Sequence, residues 1–383
     1  MRIIGVVLLG LLVVGFGAWA ERPQFGPYLI YPGNPDEMMV LWNSRTTRSA
    51  ILRWGLDETC SSGEMICEGD KAQRMRLVSD MYFPGGYDYR VTLGDLAPAT
   101  TYYYEVETSG HTVSSTFRTA PSPEQDTLRF LAWADTQYAS QETCGYPPCC
   151  FGDTAHHALE HVRQDPSLQT LMLHAGDWVA DPLERSWKQF LQNSSNRELM
   201  SLVPQQGCMG NHDTPAVRNA GDSYAKYMPY PYVDDHYWSF DYGPLHVVVI
   251  DQFRAGMCDV SDTSDQEQIE WIREDLEAND RPWTIALFHM PQNDGDTGGP
   301  EVHCHRMRSA LDPDKVDLLL AGHWHSHHFF THLWIPQLIM GSASDRHNQG
   351  GCMYYLFDIS GDVMTIDVYE SGVLLESIRM ENT

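Results

Sequence analysis

Between residues 22 and 123, short apolar runs alternate with Gly, Pro, Asn and Asp. Runs at 38–42, 50–54, 89–93 and 101–106 have strand length, and their spacing predicts an all-β sandwich. From residue 128 the pattern changes. Apolar runs at 128–134, 170–173, 202–205, 246–250, 284–288 and 316–320 predict buried strands, while 155–164, 183–199 and 265–278 predict helices. Strands alternating with helices predict an α/β layered domain. The tail at 354–380, broken at Ser360-Gly361-Asp362 and Glu370-Ser371-Gly372, returns to strands and is expected to complete a second sheet.

A length of 383 residues suggests two domains, and 42% hydrophobic residues suffice for each to bury a core. Charge narrows the function classes. Asp plus Glu number 52 against 25 Lys plus Arg, a formal charge of -27. That balance argues against general nucleic-acid binding, which needs a basic footprint. Residues 1–20 read as an export signal: Arg2, an apolar run at 3–16, then the small-residue cleavage pattern Ala18-Trp19-Ala20. Cleavage makes the protein secreted, periplasmic or extracellular. If uncleaved, the uncharged stretch 3–20 is just long enough to anchor the chain in a membrane. Nine cysteines fit an oxidising compartment. Cys60 and Cys67 bracket a short loop and are placed to pair. Cys144, Cys149 and Cys150 cluster, and the odd total leaves at least one free or paired outside the chain.

The candidate chemistry lies where the buried runs end. Asp135 follows the first, Asp177 the second, Asn211-His212-Asp213 the third, His289 a later one, and His323-Trp324-His325 the last before the tail. Open α/β sheets place their sites at the carboxyl ends of strands. Carboxylate, amide and imidazole donors suit first-row metal ions, and two such ions clamp the attacking and leaving oxygens of a displacement.

Asp135, Gly176-Asp177, Gly210-Asn211-His212-Asp213, His289 and Gly322-His323-Trp324-His325 resemble, in order, the motifs of the calcineurin-like metallophosphoesterases. The β-rich start resembles the amino-terminal domain of purple acid phosphatases. Residues 96–102 and 117–121 are similar to a late strand and the exit of a fibronectin type III domain. The resemblance implies a fibronectin type III-like sandwich at 21–122 and a metallophosphoesterase domain at 123–383, with two sheets flanked by helices. It implies two divalent or mixed metal ions (Fe, Mn, Zn or Co) and a small phosphate ester substrate. Asp177 would bridge the metals, Asp135 and His325 would bind the first, and Asn211, His289 and His323 the second. A metal-bound hydroxide would attack phosphorus, with His212 as proton donor oriented by Asp213.

Two positions depart from the family pattern. Gln137 stands where a His is common, offering a weaker amide oxygen or no ligand at all. Ala180 stands where purple acid phosphatases carry a metal-binding Tyr, with Tyr138 as the possible substitute. A non-purple relative is expected. His327, His328 and His347 are candidates for substrate contact, Trp178 and Trp324 for packing beside the metals, and Asn193-Ser194-Ser195 is a glycosylation sequon. Phosphomonoester hydrolysis leads, ahead of phosphodiester hydrolysis and of non-catalytic metal or phosphate binding with the sandwich as an adhesion module.

Overall fold

Strand alternation decides what each face of this protein covers. The computed structural model describes residues 25–71, 86–137, 150–214, 223–234, 236–253, 264–292, 309–344 and 352–382. The expected signal segment, Tyr138, His347 and Cys144, Cys149, Cys258 and Cys304 lie outside them. The amino-terminal part contributes β1 (Phe25–Ile30), β2 (Met38–Ser44), β3 (Ser49–Gly55), β4 (Gly63–Glu68), β5 (Asp70–Lys71), β6 (Tyr87–Leu93), β7 (Thr101–Thr108) and β8 (His111–Arg118). Strands β4-β3-β7-β8 form one sheet and β1-β2-β6-β5 the other layer. Between them lies a core that includes Val40, Trp42, Leu52, Tyr104 and Phe117.

The second part adds β9 (Thr127–Trp133), α1 (Phe151–Gln164), β10 (Met172–Ala175), α2 (Glu184–Gln192), α3 (Ser194–Leu202), β11 (Gln205–Cys208) and α4 (Ser223–Tyr227). After these come β12 (Trp238–Tyr242), β13 (Leu245–Val249), α5 (Ser264–Ala278), β14 (Trp283–Leu287), β15 (Leu318–Ala321), β16 (His328–His332) and β17 (Ile335–Ile339). The chain closes with β18 (Met353–Ser360), β19 (Val363–Glu370) and β20 (Val373–Glu381). One sheet runs β12-β13-β14-β15-β17-β16. Its strands β13, β14 and β15 are buried on both faces. Val247, Val249, Ile285, Leu287 and Leu320 enter the main core, while Val248, Ala286, Phe288 and Leu319 meet Ile269, Ile272 and Leu276 of α5. Each such aliphatic side chain, once buried, stabilises the fold by about 1.5–3 kcal/mol.

The two parts share a sheet, and three expectations about single elements need correction. Strand β1 pairs parallel with β11 at Ile30 and Gln205, so the other sheet runs without a break as β20-β19-β18-β9-β10-β11-β1-β2-β6-β5. Phe25, Tyr28 and Tyr31 of the first part belong to the core of the second. The tail joins this same sheet through β18 and β9 rather than completing the other one. The single helix expected at 183–199 is two, because Asn193 leaves the helix and its side chain caps α3 by accepting from the Asn196 N–H. The strand expected at 202–205 lies at β11, because Leu202 ends α3 and Gln205 begins the pairing with β10.

Cysteine pairing also differs. Cys60 and Cys67 are free and buried, and Cys150 bonds to Cys352 across 202 residues. Among the described residues no helix is long and apolar enough to cross a membrane.

Candidate metal centre

Strands β9, β10 and β11 run parallel in one sheet, and β13, β14, β15 and β17 in the other. Asp135 follows β9, Asp177 follows β10, Asn211 and His212 follow β11, His289 follows β14, and His323 and His325 follow β15. These turns are cross-linked through the main chain. Asp135 N–H donates to the Gly176 carbonyl at 3.1 Å, Gln137 N–H to the Asp177 carbonyl at 2.9 Å, and Gly322 N–H to the His289 carbonyl at 3.0 Å. Asp135, Asp177, His323 and His325 have φ of 54°, 58°, 72° and 55°. Left-handed backbone costs a residue bearing a Cβ roughly 1–2 kcal/mol, and such strain collects at functional sites. Gly210 permits the close approach: a Cβ there would stand 2.2 Å from Asp177 Oδ1.

Ligand atoms of Asp177, His289 and His323 lie within 4.8 Å of one another, as do those of Asp135, Asp177 and His325. Asp177 is common to both groups, and Asn211 Oδ1 adds to the first, 3.0 Å from His289 Nε2. Asp135, Asp177 and His289 are fully buried. No Lys or Arg pairs with either carboxylate among the described residues; their partners are imidazoles, backbone N–H groups and the Gln137 amide.

The donor set fits metal ions. His289 Nδ1–H donates to the Ala175 carbonyl at 2.8 Å, which leaves Nε2 as the free ring nitrogen. That nitrogen faces two acceptors, Asn211 Oδ1 at 3.0 Å and Asp177 Oδ2 at 3.3 Å. Acceptor facing acceptor requires a shared proton or a cation between them. A ring held through its other nitrogen by a carbonyl is the usual arrangement of a metal-binding His. Without a cation, burial works against protonation of His289, yet the Asp177 charge lifts it to about 9. Burial likewise pushes Asp177 up, but His289 and His212 hold its carboxyl below the usual range. A bound cation would replace that proton.

Around this centre the structure assigns partners that differ from some expectations. Asp213 does not touch the His212 ring. Its buried carboxylate accepts from the N–H groups of Gly210 at 2.8 Å, Val179 at 3.2 Å and Trp178 at 3.3 Å, tying the 210–213 turn to the 177–179 turn. Burial and the charge of Asp177 push its carboxyl up to about 8 against those three donors. The ring of His212 is oriented instead by the Ala180 carbonyl, which accepts from Nδ1 at 2.9 Å. Its Nε2 lies 4.0 Å from Asp177 Oδ2, and the side chain is 44% exposed, open to an incoming substrate. The Gln137 amide nitrogen donates to Asp177 Oδ2 at 2.9 Å. Trp178 is buried and stacks on His174 with ring centroids 3.9 Å apart, while Trp324 lies edge-on to His328 at 5.6 Å. His327 is bonded to Glu376 at 2.6 Å and Tyr355 at 3.2 Å.

Sequence reasoning passed over Thr136, whose hydroxyl donates to the Trp178 carbonyl at 2.6 Å, and Gln252, whose Oε1 accepts from the N–H groups of His289 and Met290 at 3.1 and 2.7 Å. Thr136 had a signal, its place inside the first motif. Gln252 had a weaker one, its place just beyond a buried strand.

Residues 128–327 match the calcineurin-like phosphoesterase family, and residues 25–120 match the purple acid phosphatase N-terminal domain. Acid phosphatase type 7 of Danio rerio is 24% identical over 368 residues, covering 84% of this chain and 74% of the relative. Probable purple acid phosphatase 20 of Arabidopsis thaliana is 24% identical over 322 residues, covering 78% and 67%. Among solved structures, purple acid phosphatase PPD1 from yellow lupin superposes with a TM-score of 0.71 at 17% identity, covering 93% of this chain and 74% of that one. The chain therefore belongs to the calcineurin-like phosphoesterase family, metal-dependent hydrolases of phosphoric esters, and carries ahead of that domain the amino-terminal domain of purple acid phosphatases.

Proposed function

We propose that this protein is a secreted phosphomonoesterase whose two metal ions are held by Asp135, Asp177, Asn211, His289, His323 and His325. The observation that carries the reading is the Asp177 carboxylate, common to two ligand groups, with the exposed His212 ring beside it. The ions would neutralise phosphate charge and lower the pKa of a water molecule. Asp177 and Asp135 would hold them, and the free nitrogen of the fixed His289 ring would serve as a further donor. The Ala180 carbonyl fixes the His212 ring through Nδ1–H and leaves Nε2 toward the substrate side, from where an imidazolium would deliver its Nε2 proton to the departing oxygen. Gln137, bonded to Asp177, steadies the bridging carboxylate rather than adding a ligand.

A panel of chromogenic mono- and diesters with defined Mn(II), Zn(II), Fe(II) or Co(II) tests this. Monoesters are expected to turn over faster, and removal of metal by chelator to abolish turnover. Preference for diesters would move the substrate class without moving the site, and turnover of neither would sink the reading. His212→Ala should cost roughly 10²–10⁴ in rate while metal is retained, and less for good leaving groups. With Ala180 in place of a tyrosine ligand, the active protein should be colourless. An intense visible band that bleaches on reduction would identify another Tyr as a ligand.

A further inference from the structure

One more turn reaches the same edge of the sheets, after β17, and supplies no metal ligand. The Asp135 carbonyl accepts from two buried hydroxyls there, Ser342 Oγ at 2.9 Å and Ser344 Oγ at 3.0 Å. Between them, Ala343 N–H donates to the Ala134 carbonyl at 2.9 Å. The N–H of Asp135 is already committed to the Gly176 carbonyl. Both peptide planes flanking Asp135 are thus pinned, so neither φ nor ψ can relax from the left-handed conformation that aims its carboxylate.

The segment is itself gripped from outside. Cys150 N–H donates to the Ser344 carbonyl at 3.0 Å, and Met353 N–H to the Ser342 carbonyl at 3.1 Å. The Thr154 hydroxyl donates to the Ala343 carbonyl at 2.7 Å. The donors on Ser344 and Ser342 sit on or beside the Cys150–Cys352 disulfide, which joins the start of α1 to the residue ahead of β18.

We propose that Ser342 and Ser344, anchored by the Cys150–Cys352 disulfide, are positioning residues for Asp135 and set metal affinity in the Asp135–Asp177–His325 half of the centre. The inference rests on the two-metal reading above. It predicts an asymmetry, because the contacts named above end on Asp135, on Ala134 beside it or on the flanks of the disulfide, and not on Asn211, His289 or His323. Partners that orient a metal ligand typically change affinity about 10–100-fold.

The test titrates metal-stripped protein with Mn(II) by calorimetry and records its thermal melting. Wild type should take up two equivalents. The Ser342→Ala/Ser344→Ala variant should keep one at wild-type affinity and bind the other about 10–100-fold more weakly. Ser342→Thr, which retains the hydroxyl, should stay near wild type. Cys150→Ser/Cys352→Ser should show the same one-sided weakening. Should it fail to fold, the serine variant, which keeps the disulfide, decides. Two equivalents at wild-type affinity in the serine variant, or both weakened alike, would overturn the proposal. Fewer than two equivalents in wild type would overturn the two-metal reading and this inference with it.

Discussion

Two clusters of carboxylates and imidazoles lie toward opposite ends of neighbouring parallel strands in the six-stranded sheet. At the amino end of β13, His246 Nδ1 meets Asp241 Oδ1 at 2.7 Å and Nε2 meets Asp275 Oδ2 at 2.9 Å. Ser239 donates to the second oxygen of Asp275, and Arg281 Nε approaches that of Asp241 at 3.5 Å. Every acceptor there faces a donor, and the backbone is ordinary strand and helix. Beyond the carboxyl end of β14, His289 spends its proton on a carbonyl and turns a lone pair toward two oxygens. The Asp and His turns around it are left-handed. The same side chains therefore make a closed ion-pair lock in one place and an open demand for cations in the other. The difference lies in where the backbone aims the lone pairs.

The largest expected effect separates the two clusters. Asp177→Asn should lose both metals and about 10³-fold or more in turnover, since it removes several kcal/mol of charge stabilisation. His246→Asn should leave metal content and turnover intact. Metal analysis and ester hydrolysis on both variants check this, and an active, metal-replete Asp177→Asn would remove the basis for calling it the bridge.

Next comes the turn that Asp213 ties down. Asp213→Ala strands three buried N–H groups, so unfolding in denaturant should show a loss of roughly 3 kcal/mol or more at about 1–3 kcal/mol per orphaned group. Asp213→Asn, which keeps an acceptor oxygen, should lose less. Equal stability of Asp213→Ala and wild type would show that these bonds carry little.

The lock has its own pH signature. Burial works against the His246 imidazolium, but Asp241 and Asp275 raise it to about 9. A folded-state value above the unfolded one, about 6.5, stabilises the fold fully below pH 6.5 or so. That contribution declines as pH rises and is gone above about 9. His246→Asn should therefore cost roughly 1–3 kcal/mol at pH 6 and almost nothing near pH 9.5. A cost independent of pH would mean that packing, not charge, holds this corner.

The smallest effect concerns the long-range field. With a formal charge of -27 the surface repels anionic esters, a repulsion screened beyond about 8 Å at physiological salt. Added sodium chloride should raise kcat/KM for a monoester by less than about tenfold. A steep fall with salt would reveal a basic funnel around the centre.

How much of this was legible in the sequence can be argued strand by strand. Strands β9, β13, β14 and β15 were readable because a strand buried on both faces must be apolar throughout, and a polar residue marks its end. Asp135, His289 and His323 stand at such ends. Strand β11 was not readable. Its residues Gln205, Gln206, Gly207 and Cys208 are all buried, yet hydropathy ranks two of them as polar. They are tolerated inside because Gln206 donates to the Tyr31 carbonyl and Gln205 to that of Val203, partners no local pattern announces. The tail showed its strands but not its sheet, since alternation says which residues face inward and not which edge they pair with.

The sequence by itself determined the kinds of side chain that meet at the strand ends, because apolar runs and their breaks are local properties. Only the tertiary structure decided which groups satisfy them. Asp213 is adjacent to His212 in the chain, yet it turns to three main-chain N–H groups while the Ala180 carbonyl takes the ring. Cys60 and Cys67 are close in sequence and form no disulfide, while Cys150 reaches Cys352 across most of the second part. Hydrogen bonds and disulfides are short-range and directional. Which partner comes within their reach is set by how strands stack across the sheets, and spacing along the chain does not encode that.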